Sequence, residues 1–446
     1  MHQTELTSQV IFGWDPLWVS TIIFVLTYLV VISEKVNRAI IALLGASLMV
    51  MLGVITQESA VKGVDFNTIG LLTGMMIIVA ITQRTGVFQY IAIWSAKKVK
   101  ASPWGILLML SVVTAVFSAL LDNVTTVLLI APITLLIAQE LEVSPFPFLF
   151  SEIFASNIGG ASTLIGDPPN IMIGSAVGLG FNDFVVNLAP ITVIVLFVNL
   201  LMVYLIWGRK MSASDDNRKQ VMGFDESKAL RNKPLLIRSL LVLFIVLTLF
   251  LNAHSLGLEP ATIAMGGAAL LMLLDNIGQS AHAQSSNVDK CFQEAEWVTI
   301  FFFVGLFIIV SGIERSGVLD LLAEKMLHIT QGDFNTTAIT ILWSSAVLSA
   351  LVDNIPFVAT MIPMIKSMAS VFGGAEALMP LWWSLALGAC LGGNGSLIGA
   401  SANLIVAGYA ERAGFPILFL KFMAYAFPMM LVSIVISHVY IVWRFL

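Results

Sequence analysis

The chain has 446 residues, 58% of them hydrophobic and 11% charged, with a mean hydropathy of +0.94 and a net charge of −5. Soluble domains carry about 25% charged residues, so this composition excludes a soluble globular protein and points to a polytopic membrane protein. No basic block offers a footprint for nucleic acid, and two cysteines, Cys291 and Cys390, are too few for a disulfide framework or a cysteine-rich metal site.

The opening residues, MHQTELTSQVIFGWDP, hold no Lys or Arg. They lack the basic region of a cleavable signal peptide, so the first apolar segment is expected to be a retained span. A helix needs about 20 apolar residues to cross hydrocarbon. The expected helices are Leu17 to Ile32, Ile40 to Ile55 and Thr68 to Thr82, then an amphipathic connector from Gly86 to Lys100. Trp104 to Leu121, Val124 to Ala138, Phe148 to Leu164 and, after a Gly/Pro interruption, Ile191 to Trp207 complete the first set. A polar loop from Arg209 to Arg238 follows. The second set is Leu240 to Leu251, Thr262 to Leu274, Val298 to Gly312, an amphipathic Val318 to His328, Ile339 to Val352, Phe357 to Met368, Trp382 to Leu391 and, past a second Gly-rich interruption, Phe422 to Trp443.

Lys/Arg placement sets orientation. The central loop holds eight basic residues and is expected to be cytoplasmic; counting outward then puts seventeen of the 22 inside and both termini outside. The expected location is the cell inner membrane.

The chain says itself twice. Ser118-Ala-Leu-Leu-Asp122-Asn123 returns as Ser349-Ala-Leu-Val-Asp353-Asn354 at an offset of 231 (353 − 122), and each copy runs on to a proline, Pro132 and Pro363. Thr68-Ile-Gly-Leu-Leu-Thr-Gly matches Thr299-Ile-Phe-Phe-Phe-Val-Gly at the same offset. Gly159-Gly-Ala-Ser-Thr-Leu-Ile-Gly matches Gly392-Gly-Asn-Gly-Ser-Leu-Ile-Gly at 233, which puts Asn170 on Asn403. Five crossings per half make the second copy inverted, as in many secondary transporters. The expected fold is an all-α polytopic membrane protein of two inverted-topology repeats, residues 1–208 and 239–446 about a cytoplasmic linker at 209–238. Each repeat has about five transmembrane helices, a re-entrant Asp-Asn hairpin and one broken helix.

Carboxylates at membrane depth are costly unless they serve an ion, a proton or a substrate. The pairs Asp122/Asn123 and Asp353/Asn354, with Thr125 beside the first, are therefore candidate ligands; the alternative is a polar N-cap inside the bundle. The interruptions supply a second set: Gly159, Gly160, Ser162, Thr163, Asp167 and Asn170, with Gly392, Gly393, Asn394, Ser396, Ser401 and Asn403. Matched Gly/Pro breaks point to a midplane transport site; a single break read alone could be a simple kink. Asp167 and Glu152 have no acidic counterpart in the second half. With Asp122 and Asp353 they are candidate proton carriers, since burial favours a neutral carboxyl, although Glu152 could equally be structural. Arg84 and Arg315 read as interface anchors, and Cys390 as a packed hydrophobe rather than a soft ligand. An intramembrane aspartyl protease is disfavoured because Asp122 and Asp353 fall at equivalent positions of an inverted repeat.

Leu121-Asp-Asn-Val-Thr-Thr126, Ile158 to Asn170, Val352 to Pro363 and Gly388 to Asn403 resemble the signature segments of the ion transporter superfamily, and within it the ArsB/NhaD permeases, nearest the branch that holds the melanosomal P protein. The resemblance covers nearly the whole chain outside the N-terminus and loops. It implies a scaffold and a moving transport domain of two hairpins and two broken helices, working as an elevator, with Asn123 and Asn354 as coupling-ion or substrate ligands. Sodium-coupled dicarboxylate relatives have serine where Asp122 and Asp353 stand here, and three carboxylates would repel a dicarboxylate. The expected activity is thus proton-coupled efflux of arsenite, antimonite or a similar small inorganic solute; the alternatives are a sodium/proton antiporter and an anion channel. Neither an enzyme nor a cofactor or metal is expected. The partners are the solute, coupling H+ or Na+, the lipid bilayer and, by the resemblance, a second copy of the chain; a soluble ATPase partner stays open.

Overall fold

The computed structural model describes residues 10–33 and 35–446, so most of the N-terminal stretch read above lies outside the described residues. The first half runs α1 (Pro16–Ser33), α2 (Arg38–Met51), α3 (Gln57–Gly63), α4 (Phe66–Gln83), α5 (Val87–Lys98), α6 (Pro103–Leu120), α7 (Asn123–Glu140), α8 (Phe146–Gly160), α9 (Pro168–Val177) and α10 (Phe181–Ile206). After the linker helix α11 (Asp215–Met222) come α12 (Lys233–Leu251), α13 (Ala253–Leu256), α14 (Pro260–Asn276), α15 (Ala281–Glu294), α16 (Trp297–Arg315), α17 (Val318–Ile329), α18 (Phe334–Leu351), α19 (Asn354–Ser367), α20 (Ala369–Phe372), α21 (Met379–Gly392), α22 (Ser401–Arg412) and α23 (Phe419–Arg444). Among the described residues nine helices are long and apolar enough to cross a membrane, and α2 and α14 are shorter apolar helices.

The two halves interlock. Helix α2 packs along α16 of the other half, and α14 along α4. The register is the same in both: a Cβ on Gly305 would strike the Ala42 backbone, and one on Gly74 the Ala264 backbone. Backbone contact this close requires glycine. Around this frame sit α1 and α12, whose outer faces (Trp18, Ile22, Leu26; Ile237, Leu241, Phe244) are exposed apolar surface suited to lipid.

The second body is built from the helical hairpins α6/α7 and α18/α19 and the broken helices α8/α9 and α21/α22. Hairpin and break pack within each half, α6 on α8 and α18 on α21, and across halves, α7 on α22 and α19 on α9. Helix α8 is buried on every side from Pro147 to Gly160, and so encloses its polar residues Ser151, Glu152, Ser156 and Asn157 within the body. Connectors α5 and α17 leave the frame through Gly86 and Gly317 at φ 81° and 80°, equivalent turns in the left-handed region that favours glycine.

Most elements lie where the hydropathy put them. Three differ. Helix α10 begins at Phe181 rather than Ile191, continuing through Pro190 because proline costs a helix its hydrogen bond but not its path. Helix α12 begins at Lys233, inside the expected polar loop, with Asn232 accepting from Leu235 N. Each interruption is not only loop but resumes as a helix, α9 or α22.

Candidate functional site

Each hairpin turns on its acidic residue. Asp122 caps α7, accepting from Thr125 N at 2.7 Å and Thr125 Oγ1 at 2.5 Å; Asp353 caps α19, accepting from Ile355 N at 3.0 Å. The capping role weighed from the sequence is thus part of the geometry, and Thr125 is spent on its neighbour. Asp353 has further partners that Asp122 lacks, described below.

The broken helices are held open by matched bonds. Ser118 and Ser349 donate to the carbonyls of Ser156 and Ala389, and Thr163 and Ser396 to those of Ala119 and Ala350. Asn170 Nδ2 donates to Ala161 and Thr163 carbonyls at 3.2 and 2.8 Å, and Asn403 Nδ2 to those of Gly393 and Ser396 at 2.8 Å each. Unwound carbonyls buried in protein need such donors. Gly159 and Gly392 let the hairpin arm approach, since a Cβ there would collide with the backbone of Ala115 or Ala346. Gly160 and Gly393 lie likewise against the Gly166 and Gly399 carbonyls. The hydroxyl of Ser162 turns to its own helix, at the Gly159 carbonyl.

The two halves meet through carboxamides. Asn157 of α8 donates from Nδ2 to Asn394 Oδ1 at 3.0 Å and to Asn403 Oδ1 at 2.9 Å, while its Oδ1 accepts from Asn123 at 3.3 Å. Asn354 of the second hairpin donates to both oxygens of Asp167 at 3.3 and 3.5 Å. Cys390 Sγ donates to Asn170 Oδ1 at 3.5 Å beside this pair, and Asp353 acts on the Asp167 carboxyl electrostatically. All of these except Asp353 are buried. Two polar atoms in this cluster, Asn123 Oδ1 and Asn394 Nδ2, have no partner among the described residues. One acceptor and one donor therefore point into the meeting place of both hairpin tips and both breaks, where a solute or ion could satisfy them.

Glu152 stands apart on α8 facing α7. Thr134 donates to its Oε1, and its Oε2 has no partner among the described residues. Arg84 closes α4 beside Asp275 and Glu294, at 3.9 and 3.4 Å.

Two residues of this region carried no assigned role in the sequence. Asn157 opens the first break, two residues before Gly159, the first of the residues singled out there. Arg38, expected to be one of many loop cations, is the first residue of α2 and pairs with Asp353 Oδ2 at 3.2 Å. A cation at a helix N-terminus opposes the helix dipole unless an acid holds it, and that was the available signal.

A model of the citrate transporter family, CitMHS, matches residues 28–388. The chain belongs to the CitMHS citrate transporter family. An uncharacterized transporter of Mycobacterium tuberculosis is 42% identical over 431 residues, covering 96% of this chain and 98% of that protein. The P protein of Sus scrofa is 32% identical, covering 95% of this chain and 59% of that protein. Among solved structures, the YdaH transporter of Alcanivorax borkumensis, described as having an unusual topology, superposes with a TM-score of 0.58 at 14% identity over 95% of this chain and 98% of that one. MtrF of Neisseria gonorrhoeae, described as illuminating a class of antimetabolite efflux pumps, gives 0.60 at 10% over 98% and 96%. At such identities the likeness is one of fold. This CitMHS member is an all-α, multi-pass membrane transporter that shares its fold with YdaH and MtrF.

Proposed function

We propose that the protein is a secondary active transporter that exports a small, uncharged, hydroxylated inorganic solute of the arsenous or antimonous acid type in exchange for protons, moving its hairpin body against the frame as an elevator. The observation that carries this reading is the convergence at Asn157 and Asp167: carboxamides from both halves and one carboxyl, with no Lys or Arg bonded to either of these two residues among the described residues. Carboxamides offer donors and acceptors in equal measure, which suits a neutral hydroxide. A citrate trianion would need cationic partners there. Asp167 and Asp122 carry the proton, because a neutral carboxyl crosses hydrocarbon far more cheaply than a carboxylate. Both termini lie on the external face of the inner membrane in this reading.

The test is uptake by proteoliposomes under an imposed proton gradient, with arsenite, antimonite, sodium and citrate offered in turn. Gradient-driven arsenite or antimonite uptake that Asp167→Asn abolishes supports the reading; citrate or sodium uptake in its place overturns the substrate, and flux without a gradient requirement overturns the coupling. The sodium/proton exchange reading has one observation of its own, the unpartnered Asn123 Oδ1, an oxygen suited to a hard cation.

A further inference from the structure

Arg38 is held by three oxygens from three helices. Its Nη1 donates to Asp353 Oδ2 at 3.2 Å and to Ser401 Oγ, and its Nη2 to Thr299 Oγ1 at 3.1 Å. Ser401 in turn donates to Asp353 Oδ2 at 2.9 Å, and the guanidinium lies 5.2 Å from the Phe302 ring. Arg38, Thr299 and Phe302 belong to the frame; Asp353 and Ser401 belong to the hairpin body. A cavity of about 280 Å3 opens onto this contact, lined by Val36, Arg38, Asp353, Ile398, Ser401 and Leu404. A carboxylate and two hydroxyls form the oxygen-only donor set that a hard cation takes.

The second half does not repeat the device. The register fixed by Ala42 on Gly305 and Ala264 on Gly74 puts Pro260 where the first half has Arg38. Thr68 and Thr299 each donate to the acidic residue three positions before them, Asp65 at 2.7 Å and Glu296 at 3.1 Å, but only Thr299 also accepts from a guanidinium, and α9 begins with Pro168 where α22 begins with Ser401. Asp122, the counterpart of Asp353, caps its helix with no basic partner among the described residues. Exchanging the conformations of the two halves, the general route to the opposite-facing state of an inverted repeat, therefore breaks an ion pair and forms none.

We infer that Arg38 is the resident stand-in for an alkali cation at Asp353 and Ser401, a one-sided latch that holds the hairpin body to the frame in this state until the cation takes its place. The inference rests on the elevator reading above. The charged and titratable groups that face the contact are Asp167 from α9, Tyr28 from α1 and Glu296 at the start of α16. None of them is basic, so the charge that replaces the guanidinium comes from solution. A cation bound at Asp353 and Ser401 travels with the hairpin body, and Arg38 stays behind.

The test uses the full chain in proteoliposomes with cysteines at Val36 and Leu404, which line the cavity from the frame and the hairpin body, and a bifunctional maleimide. Cross-linking is compared in sodium chloride and in N-methylglucamine chloride at equal ionic strength. Sodium is expected to lower the yield at least about fivefold, the lower end of ordinary coupling between sites. Arg38→Gln and Asp353→Asn should give the low yield in both salts, and Arg38→Lys should restore part of the contrast, which a merely misfolded chain would not do. An Arg38→Gln protein that cross-links like its parent, or a parent indifferent to sodium, overturns the latch. Failure of the transport reading looks different: no liposome, parent included, shows gradient-driven flux, whatever the cross-linking does.

Discussion

Asn354 Nδ2 spans the two oxygens of Asp167, joining the tip of the second hairpin to the break in the first half. Removing the donor leaves a buried carboxyl short of a partner, which costs about 1–3 kcal/mol. Asn354→Ala is expected to slow gradient-driven flux roughly 5- to 150-fold, the same energy read as a rate, while Asn354→Gln recovers part of it. Initial rates in proteoliposomes check this, and an unchanged rate in Asn354→Ala would detach the tip from the site.

The equivalent glycines make a paired stability prediction. Gly159→Ala and Gly392→Ala force a Cβ against the backbone of Ala115 and Ala346 and should each destabilise by about 1–3 kcal/mol. Gly408, within α22, has nothing within 4 Å of an added Cβ. Gly408→Ala is expected to be neutral or to stabilise by about 0.4–1 kcal/mol. Thermal unfolding in detergent ranks the three.

Asn157→Leu tests whether the central carboxamide matters as a bridge or only as filling. It keeps the volume and removes the links to Asn123, Asn394 and Asn403. Flux should fall at least about tenfold, the rate equivalent of about 1.4 kcal/mol. Retained flux would show that the two halves do not need this link to form the site.

The linker carries a pH-dependent dock. Lys97 Nζ donates to Glu226 and to the Phe224 carbonyl, and the ammonium holds the Glu226 carboxyl below its usual 4.5. Because the folded value is depressed, this stabilisation is present above the unfolded value and is lost as pH falls through the folded one. Proteolysis of residues 215–230 should therefore be slow near neutral pH and quicken below about pH 4.5. High salt should loosen the dock, and Lys97→Met should give fast cleavage at all pH values.

Much of the fold was legible because hydrophobic runs long enough to cross a bilayer announce themselves, and because duplication repeats its landmarks, Asp122 on Asp353 and Asn170 on Asn403. The limits of α10 were not, since Pro190 lies inside a helix that its neighbours hold together. At the site, residue type exposed the breaks and the hairpin tips but not the division of labour within them. Ser162, Thr163 and Ser396 look like ligands in sequence, yet their hydroxyls serve backbone carbonyls. Asn157 and Arg38 act across halves, through partners 246 and 315 positions away, and no local pattern carries such a contact.

The crossed seating of α2 on α16 and of α14 on α4 has a consequence for biogenesis. When the ribosome has inserted α1 to α10, α2 and α4 each still present to lipid the stripe meant for a partner not yet synthesised. The first repeat alone is therefore no autonomous unit, and a chain cut within the linker would recover its architecture only if both pieces reached the same patch of bilayer and threaded into one another.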